Sequence, residues 1–161
     1  MAVHKLVLDD AFDDSVFTLV AIHCRLEDYR LAYLLNKNLG VSLARKLKDI
    51  DIINGKASYS IYEWEDLKQL ITWSLVSNIC KLEEVQPTNQ KSLFDNEENI
   101  IKTYHLLPEH KTVNYFLKID GDLGYGKEKY ILDTILKIPQ IATAYSIDSG
   151  QLKSKDHLIF N

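Results

Sequence analysis

A glycine-rich loop near the C-terminal third of the chain has the composition of a ligand-binding turn. Gly121, Gly124 and Gly126 follow a predicted strand and precede a predicted helix, and such a loop can hold a phosphate group at the helix N-terminus. The spacing matches neither the dinucleotide fingerprint nor the P-loop, and Asp120 and Asp122 would repel an anion. These aspartates also lack the spacing of an EF-hand. We therefore predict an ordinary turn and no cofactor.

Histidine, cysteine and acidic residues are the other candidates for chemistry. The five histidines share no metal-ligand spacing, and Cys24 and Cys80 belong to no C-x-x-C element. His23 is next to Cys24, but neighbours on a strand point to opposite faces and should not form a nucleophile–base pair. The acidic clusters at 63–66 and 83–84 are predicted to be solvated. We expect two buried free thiols, no metal site, no catalytic residue and no enzymatic activity.

The segment 26–39 has leucines and aromatic residues at helical spacing, and Gly40 is placed to end the helix as its C′ residue. One face carries the leucines and should pack on a sheet: Leu31, Leu34, Leu35 and Leu39. A second face carries what we call the tyrosine–basic stripe: Tyr29, Arg30, Tyr33 and Lys37. Tyrosine and arginine are typical interface anchors. The stripe either packs inside the domain or contacts a partner, and we take it as the candidate interaction surface.

Length and charge limit the class of protein. The chain has 161 residues, 46% hydrophobic and 26% charged, with a net charge of −4, which is typical of one globular domain. The acidic balance disfavours a nucleic-acid partner, although basic residues near 45–48 and 153–155 could contact phosphates locally. No apolar run approaches the roughly 18 residues of a membrane span, and the first residues do not resemble a signal peptide. We expect a cytoplasmic protein without a membrane partner.

The pattern of elements predicts the fold. Predicted strands cover 5–8, 17–24, 41–53, 57–64, 71–81, 100–107, 113–119 and 141–147, and predicted helices cover 26–39 and 127–138. Asn54 and Gly55 predict a tight hairpin turn, and the polar segment 86–99 a long surface loop. Consecutive strands joined by short turns favour one compact α+β domain over 1–161. It should have an antiparallel-rich sheet, two main helices and a C-terminal strand–helix–strand unit.

The segment 107–115 reads Leu-Pro-Glu-His-Lys-Thr-Val-Asn-Tyr. It resembles the motif of the IPExxxVDY family, small proteins of Bacteroidota bacteria, with leucine replacing the first isoleucine and asparagine replacing the aspartate. Segments at 5–9, 26–36, 143–146 and 152–155 are similar to the same family. The resemblance implies no activity. It assigns six motif positions: Leu107, Pro108, Glu109, Val113, Asn114 and Tyr115.

The motif itself predicts local structure. Pro108 should fix the entry to a turn, and Glu109 should accept backbone hydrogen bonds there. Val113 and Tyr115 are predicted to share one face of the following strand. Asn114 cannot ionise, so a general acid or base at this position would have been lost. We therefore predict a hydrogen-bonding role for Asn114.

Three functions are compatible with these features. We expect a non-enzymatic protein that acts through protein–protein contacts, using the tyrosine–basic stripe and the loop 86–99. The first alternative is a small-ligand regulatory module built on 113–147 with its glycine loop. The second alternative is an RNA-processing or ribosome-linked accessory factor. It is prompted by the resemblance alone, because genes of that family often lie near a ribonuclease III gene.

Overall fold

The computed structural model describes residues 16–52, 55–85 and 99–160. The predicted strand 5–8, Asn54 of the predicted turn and residues 86–98 of the predicted loop lie outside these ranges. The described elements are β1 (Phe17–Cys24), α1 (Asp28–Leu39), β2 (Ala44–Arg45), β3 (Ile50–Ile52), β4 (Ala57–Tyr59), β5 (Ile61–Asp66), β6 (Ile71–Ser77), β7 (Ile79–Val85), β8 (Asn99–His105), β9 (Tyr115–Asp120), α2 (Lys127–Leu136) and β10 (Ile141–Ile147).

A six-stranded sheet organises the chain, in the order β10-β1-β9-β6-β5-β2. Every neighbouring pair in it is antiparallel. The pairs β3–β4 and β7–β8 form separate two-stranded ribbons. The predicted α+β class is therefore confirmed. In the strand–helix–strand unit, β9 and β10 run parallel, but β1 lies between them, so they are not neighbours.

Both helices pack on one face of the sheet. Leu31 and Leu35 of α1 are fully buried in this first core, while Leu34 and Leu39 are partly buried against it. Gly40 ends α1 in the left-handed conformation at φ 68°, and its N–H donates to the Asn36 carbonyl. Ile131 and Ile135 of α2 are buried in the same core, and so is Ile138, which follows the end of the helix at Leu136. In the described ranges, neither helix is long and apolar enough to cross a membrane.

The two ribbons and the C-terminal segment, residues 152–160, cover the opposite face of the sheet and form a second core. Three strand predictions and one loop boundary are wrong in detail here. The predicted strand 57–64 is broken at Ser60 into β4 and β5, which belong to different sheets. The segment 41–53 is not one strand, since only β2 and β3 form within it. The predicted strand 71–81 is broken at Asn78 into β6 and β7, and Asn99 belongs to β8 rather than to the loop.

The predicted faces around the motif also need correction. Val113 precedes β9 and packs in the second core with Phe116, whereas Tyr115 packs against the first core. The alternation of faces begins only at Tyr115, where the strand begins. Val113 and Tyr115 therefore lie on opposite faces, contrary to the prediction.

Lys118 anchors the C-terminal segment to the second face. It lies in the middle of β9 and is only 8% exposed. Its Nζ donates to the Leu158 carbonyl at 2.8 Å and lies 3.1 Å from Asp120 Oδ1. The same ammonium lies 5.0 Å and 5.1 Å from the ring centroids of Phe17 and Phe160. Leu158 is buried in the second core, and Phe160 packs against it.

We predict that Lys118→Ala lowers the free energy of unfolding by about 2–3 kcal/mol, because it removes a buried donor and two cation–ring contacts. Urea denaturation measures this loss. Lys81→Ala, on an exposed position of β7, is the matched control and should change stability by less than about 0.5 kcal/mol. Equal stability of the two variants would contradict the anchoring role.

Candidate functional site

The motif segment is folded around the side chain of Asn78, which is fully buried. Its Nδ2 donates to the carbonyls of His110 and Val113, both at 2.8 Å, and its Oδ1 accepts from the Leu107 N–H at 2.9 Å. Its backbone N–H donates to the Asn114 carbonyl at 3.0 Å. One amide side chain therefore fixes the path of the segment from Leu107 to Asn114.

The start of the motif behaves as a proline turn. Leu107 is fully buried and extended, at φ −112° and ψ 98°, which is the conformation that a following proline favours. Pro108 then begins the short 3-10 helix Pro108–His110. The predicted turn entry is confirmed.

Glu109 joins this turn to the C-terminal segment. Its Oε1 accepts from the N–H groups of Lys153 and Ser154, at 3.1 Å and 2.9 Å. Burial raises the pKa of the Glu109 carboxyl, but the backbone hydrogen bonds from Ser154, Glu109 itself and Lys153 outweigh it. The pKa is therefore lowered from 4.5. Glu109 was predicted to accept backbone hydrogen bonds within the turn, but these two donors lie more than 40 residues away in the sequence. Sequence reasoning missed both of them.

Asn114 extends the pairing of β1 and β9 beyond the last paired residues, Ile22 and Tyr115. Its N–H donates to the Ile22 carbonyl at 3.2 Å, and its Oδ1 accepts from the Cys24 N–H at 3.1 Å. The register of β1 against β10 shifts between His23 and Cys24. Asn114 accepts a hydrogen bond as predicted, and it does so at the position where the strand pairing becomes irregular.

Tyr115 and Cys24 border a shallow cavity of about 250 Å³ at this end of the sheet. The Tyr115 hydroxyl donates to the Leu26 carbonyl at 2.6 Å, and burial raises its pKa. Burial also raises the pKa of the Cys24 thiol, despite a hydrogen bond with the backbone of Leu26. Both groups stay protonated at neutral pH, which disfavours a role as nucleophile or base.

His23 does not pair with Cys24. Its Nε2 lies 3.0 Å from the Tyr145 hydroxyl, and the two rings are 5.5 Å apart between centroids. Cys24 lies instead in the first core. The two side chains thus point to opposite faces, as predicted for neighbours on a strand.

A larger cleft of about 360 Å³ lies beside the motif turn, bordered by Glu109, His110, residues 145–148 of the chain, and residues 151–153. Its acidic groups are engaged in the structure of its walls. Glu109 accepts two backbone hydrogen bonds, and Asp148 Oδ1 accepts from the Gly150 N–H at 2.9 Å. Tyr145 is paired with His23. These contacts hold both carboxylates against the walls of the cleft.

The tyrosine–basic stripe faces outward on α1. Tyr29 is 57% exposed and Tyr33 64% exposed, and Arg30 and Lys37 are also exposed. Arg30 Nε lies 3.5 Å from the exposed carboxylate of Glu27. The alternative that the stripe packs inside the domain is therefore wrong. The structure brings all four predicted residues to one accessible surface.

The glycine loop forms a turn between β9 and α2. Gly121, Gly124 and Gly126 have φ values of 121°, 76° and 77°, and the Gly124 N–H donates to Asp122 Oδ1 at 3.0 Å. The N-cap residue of α2 is Gly126, which has no side chain to accept a hydrogen bond from the first turn of the helix. Across the three described ranges, no group of three or more histidine, cysteine or acidic residues is arranged to hold a metal ion.

Sequence reasoning missed Asn78. The only signal is a polar amide within an otherwise apolar stretch, and sequence alone does not distinguish a buried hub from an exposed turn residue. Lys118, between two apolar residues of a predicted strand, has the same ambiguity.

We predict that Asn78→Ala lowers the free energy of unfolding by about 3–5 kcal/mol, because it leaves the buried Leu107 N–H and Val113 carbonyl without partners. It also removes one of the two donors to the His110 carbonyl, which still accepts from the Val113 N–H. Chemical denaturation measures this change. Asn38→Ala is the matched control, since the Asn38 amide makes one exposed bond to the Leu34 carbonyl. A loss at Asn78 no greater than the control would show that the motif segment holds its path without the amide.

The lowered pKa of Glu109 predicts a pH-dependent attachment of the C-terminal segment. A lowered folded-state pKa gives stability that is present above the unfolded pKa and lost as pH falls through the folded pKa. Glu109→Gln keeps an acceptor oxygen but removes the titration. The Tm of wild type should therefore fall more than that of Glu109→Gln between pH 7 and about pH 3. Glu65→Gln, at an exposed position of β5, should respond like wild type, and an unchanged pH response in Glu109→Gln would contradict the assignment.

Comparison with known proteins gives no relative from which to transfer an activity. No protein-family model, curated protein or solved structure matches this chain. The resemblance to the IPExxxVDY family therefore depends on the motifs quoted above and remains a hypothesis.

Proposed function

We propose that this chain is a non-enzymatic protein that acts by binding another protein through the tyrosine–basic stripe. The observation that carries the proposal is the exposure of Tyr29 and Tyr33, at 57% and 64%, on a helix whose opposite face is fully buried at Leu31 and Leu35. The buried face fixes the helix on the sheet. The tyrosines are therefore presented on a rigid support.

The composition of the stripe supports a protein partner. Tyrosine supplies a large contact area at a low conformational cost, because it has few rotatable bonds, and its hydroxyl can form a hydrogen bond at the rim of an interface. Tyr29 and Tyr33 are one helical turn apart, so both rings can contact the same partner surface. A pre-formed helix adds little ordering cost on binding.

The charges of the stripe indicate the partner's chemistry. Arg30 and Lys37 border the tyrosines on the same side of α1 and are exposed. Basic residues around an aromatic centre favour a partner with acidic residues at its rim and accelerate association at low salt. We therefore propose a partner surface that is apolar at its centre and acidic around it.

Other features support a non-enzymatic role in the cytoplasm. The two carboxylates of the cleft, Glu109 and Asp148, accept hydrogen bonds from its walls, and burial raises the pKa of Cys24. Cys24 and Cys80 are both free and buried, as is usual for thiols in a reducing compartment. We also propose membership of the IPExxxVDY family on the basis of the motif at 107–115.

We predict that Tyr33→Asp reduces recovery of the partner at least tenfold in a pull-down from native lysate, measured by quantitative mass spectrometry. Removing a central aromatic anchor of an interface typically costs 2 kcal/mol or more. The Tm should change by less than about 3 °C, because Tyr33 is largely exposed.

Tyr125→Asp is the matched control for this experiment. Tyr125 is fully exposed but lies in the glycine loop, outside the tyrosine–basic stripe. A protein recovered by wild type and by Tyr125→Asp, and lost with Tyr33→Asp, fits the proposal. Equal recovery by all three proteins, or a large drop in the Tm of Tyr33→Asp, would reject the stripe as the binding surface.

A further inference from the structure

The two edge strands of the main sheet, β2 and β10, differ in how well they are protected against pairing with another strand. At one end, β2 is only two residues long and contains Arg45, with Lys46 directly after it. At the other end, β10 has seven residues, Ile-Ala-Thr-Ala-Tyr-Ser-Ile, without a charge or a proline. Natural sheets usually protect edge strands by short length, charged residues or proline. β10 has none of these three protections, although its pairing with β1 is irregular at Ala142, which has no partner between Thr143 and Ile141.

The directions of the backbone groups on β1 show which groups of β10 face outward. The carbonyls of Val16 and Ile22 accept from residues at the two ends of β9, so the even-numbered residues of β1 direct their backbone groups towards β9. In an antiparallel ladder, the N–H and C=O of one residue point to the same side. The odd-numbered residues of β1 therefore bond to β10.

The register then identifies the free groups. The odd-numbered residues Ala21 and His23 of β1 are opposite Tyr145 and Thr143. The backbone groups of Ala144 and Ser146 consequently point away from β1. Within the part of the chain that the structure describes, no strand pairs with them.

Half-exposed apolar side chains flank this edge on both faces of the sheet. On the helix side, Ser146 donates a hydrogen bond to Glu128 of α2. Leu132 and Leu136 follow Glu128 at helical spacing, so they lie on the same side of α2, over β10. Leu136 is 48% exposed there. On the opposite face, Tyr145 is 40% exposed.

The charges near β10 are arranged so that the edge is complementary to itself in the antiparallel direction. Glu128 and Asp148 lie at the C-terminal end of the strand, where Lys153 also lines the adjoining cleft, and Lys137 shortly precedes the N-terminal end. Antiparallel pairing of two identical strands places the acidic end of one beside the basic end of the other. Parallel pairing would place like charges together.

We propose that a second copy of this chain pairs with β10, antiparallel and across a two-fold axis near Ala144. The pairing joins two six-stranded sheets into one continuous sheet. It satisfies the outward backbone groups of Ala144 and Ser146 in both copies, and the small side chains of the strand allow close approach. The interface is isologous, so each copy contributes Leu136 and Tyr145 to it. Because one strand pair covers a small area, the dimer should depend on concentration.

Analytical ultracentrifugation of the full chain over a range of concentrations tests the proposal. The wild-type mass should rise from 18.6 kDa towards twice that value. Thr143→Lys adds a charge to the edge at an exposed position, and Leu136→Lys adds one on the helix side. Each should raise the dissociation constant at least tenfold, with circular dichroism showing that both variants are folded.

Thr103→Lys is the matched control, since it makes the same substitution at an exposed strand position of β8. It should dimerise like wild type. A wild-type chain that stays monomeric at the highest concentration overturns the proposal. It is also overturned if Thr143→Lys and Leu136→Lys dimerise like wild type, or if the edge binds only an extended peptide or another protein.

Discussion

The side-chain amide of Asn78 determines how the chain leaves the main sheet and returns to it. β6 ends just before this residue, and β7 begins just after it in a separate ribbon. The path comes back through Leu106 and Leu107, whose N–H groups donate to the carbonyl and the amide oxygen of Asn78. Because an unpaired buried amide is costly, this arrangement allows little variation in the position of the segment that follows.

The motif segment transmits that constraint to two distant parts of the chain. The Asn114 side chain accepts a hydrogen bond from the Cys24 N–H at the end of β1. The Glu109 carboxylate accepts two from N–H groups of the C-terminal segment. Lys118 holds the same C-terminal segment from β9. The residues that the family resemblance identifies are thus best understood as connections between layers. Glu109 and Asn114 accept hydrogen bonds from backbone N–H groups, whereas Tyr115 donates one to a backbone carbonyl.

Hydrophobic periodicity and terminating residues in the sequence were sufficient to predict the helices and strands whose ends are determined by residues close in sequence. The helix ending at Gly40 and the strand Ile141–Ile147 are found where periodicity and terminating residues place them. The break at Asn78 was not predicted, because it depends on partners about 30 residues away. The faces of Val113 and Tyr115 were assigned wrongly for a related reason. The start of β9 is determined by pairing with β1 and β6, which the sequence does not display.

The candidate surface likewise was predicted in part from local sequence and depends in part on tertiary packing. The tyrosine–basic stripe was recognised from helical spacing, but only the packing of α2 and the sheet decides whether it is exposed. The position of β10 at the edge of the sheet could not be predicted from the sequence, because an uncharged strand of seven residues is equally typical of a buried central strand. Strand order, and not composition, makes it an edge.

The two proposed surfaces are compatible with each other in one molecule. The stripe lies on the helix face of the sheet, whereas β10 offers its backbone edge in the plane of the sheet. A two-fold axis that joins two sheets edge to edge is perpendicular to the sheet, so both copies present their helices on the same side. A dimer would therefore display two copies of Tyr29 and Tyr33 towards one partner surface. A repetitive or dimeric partner would then bind more tightly than either stripe alone allows, because the second contact forms at a high effective concentration.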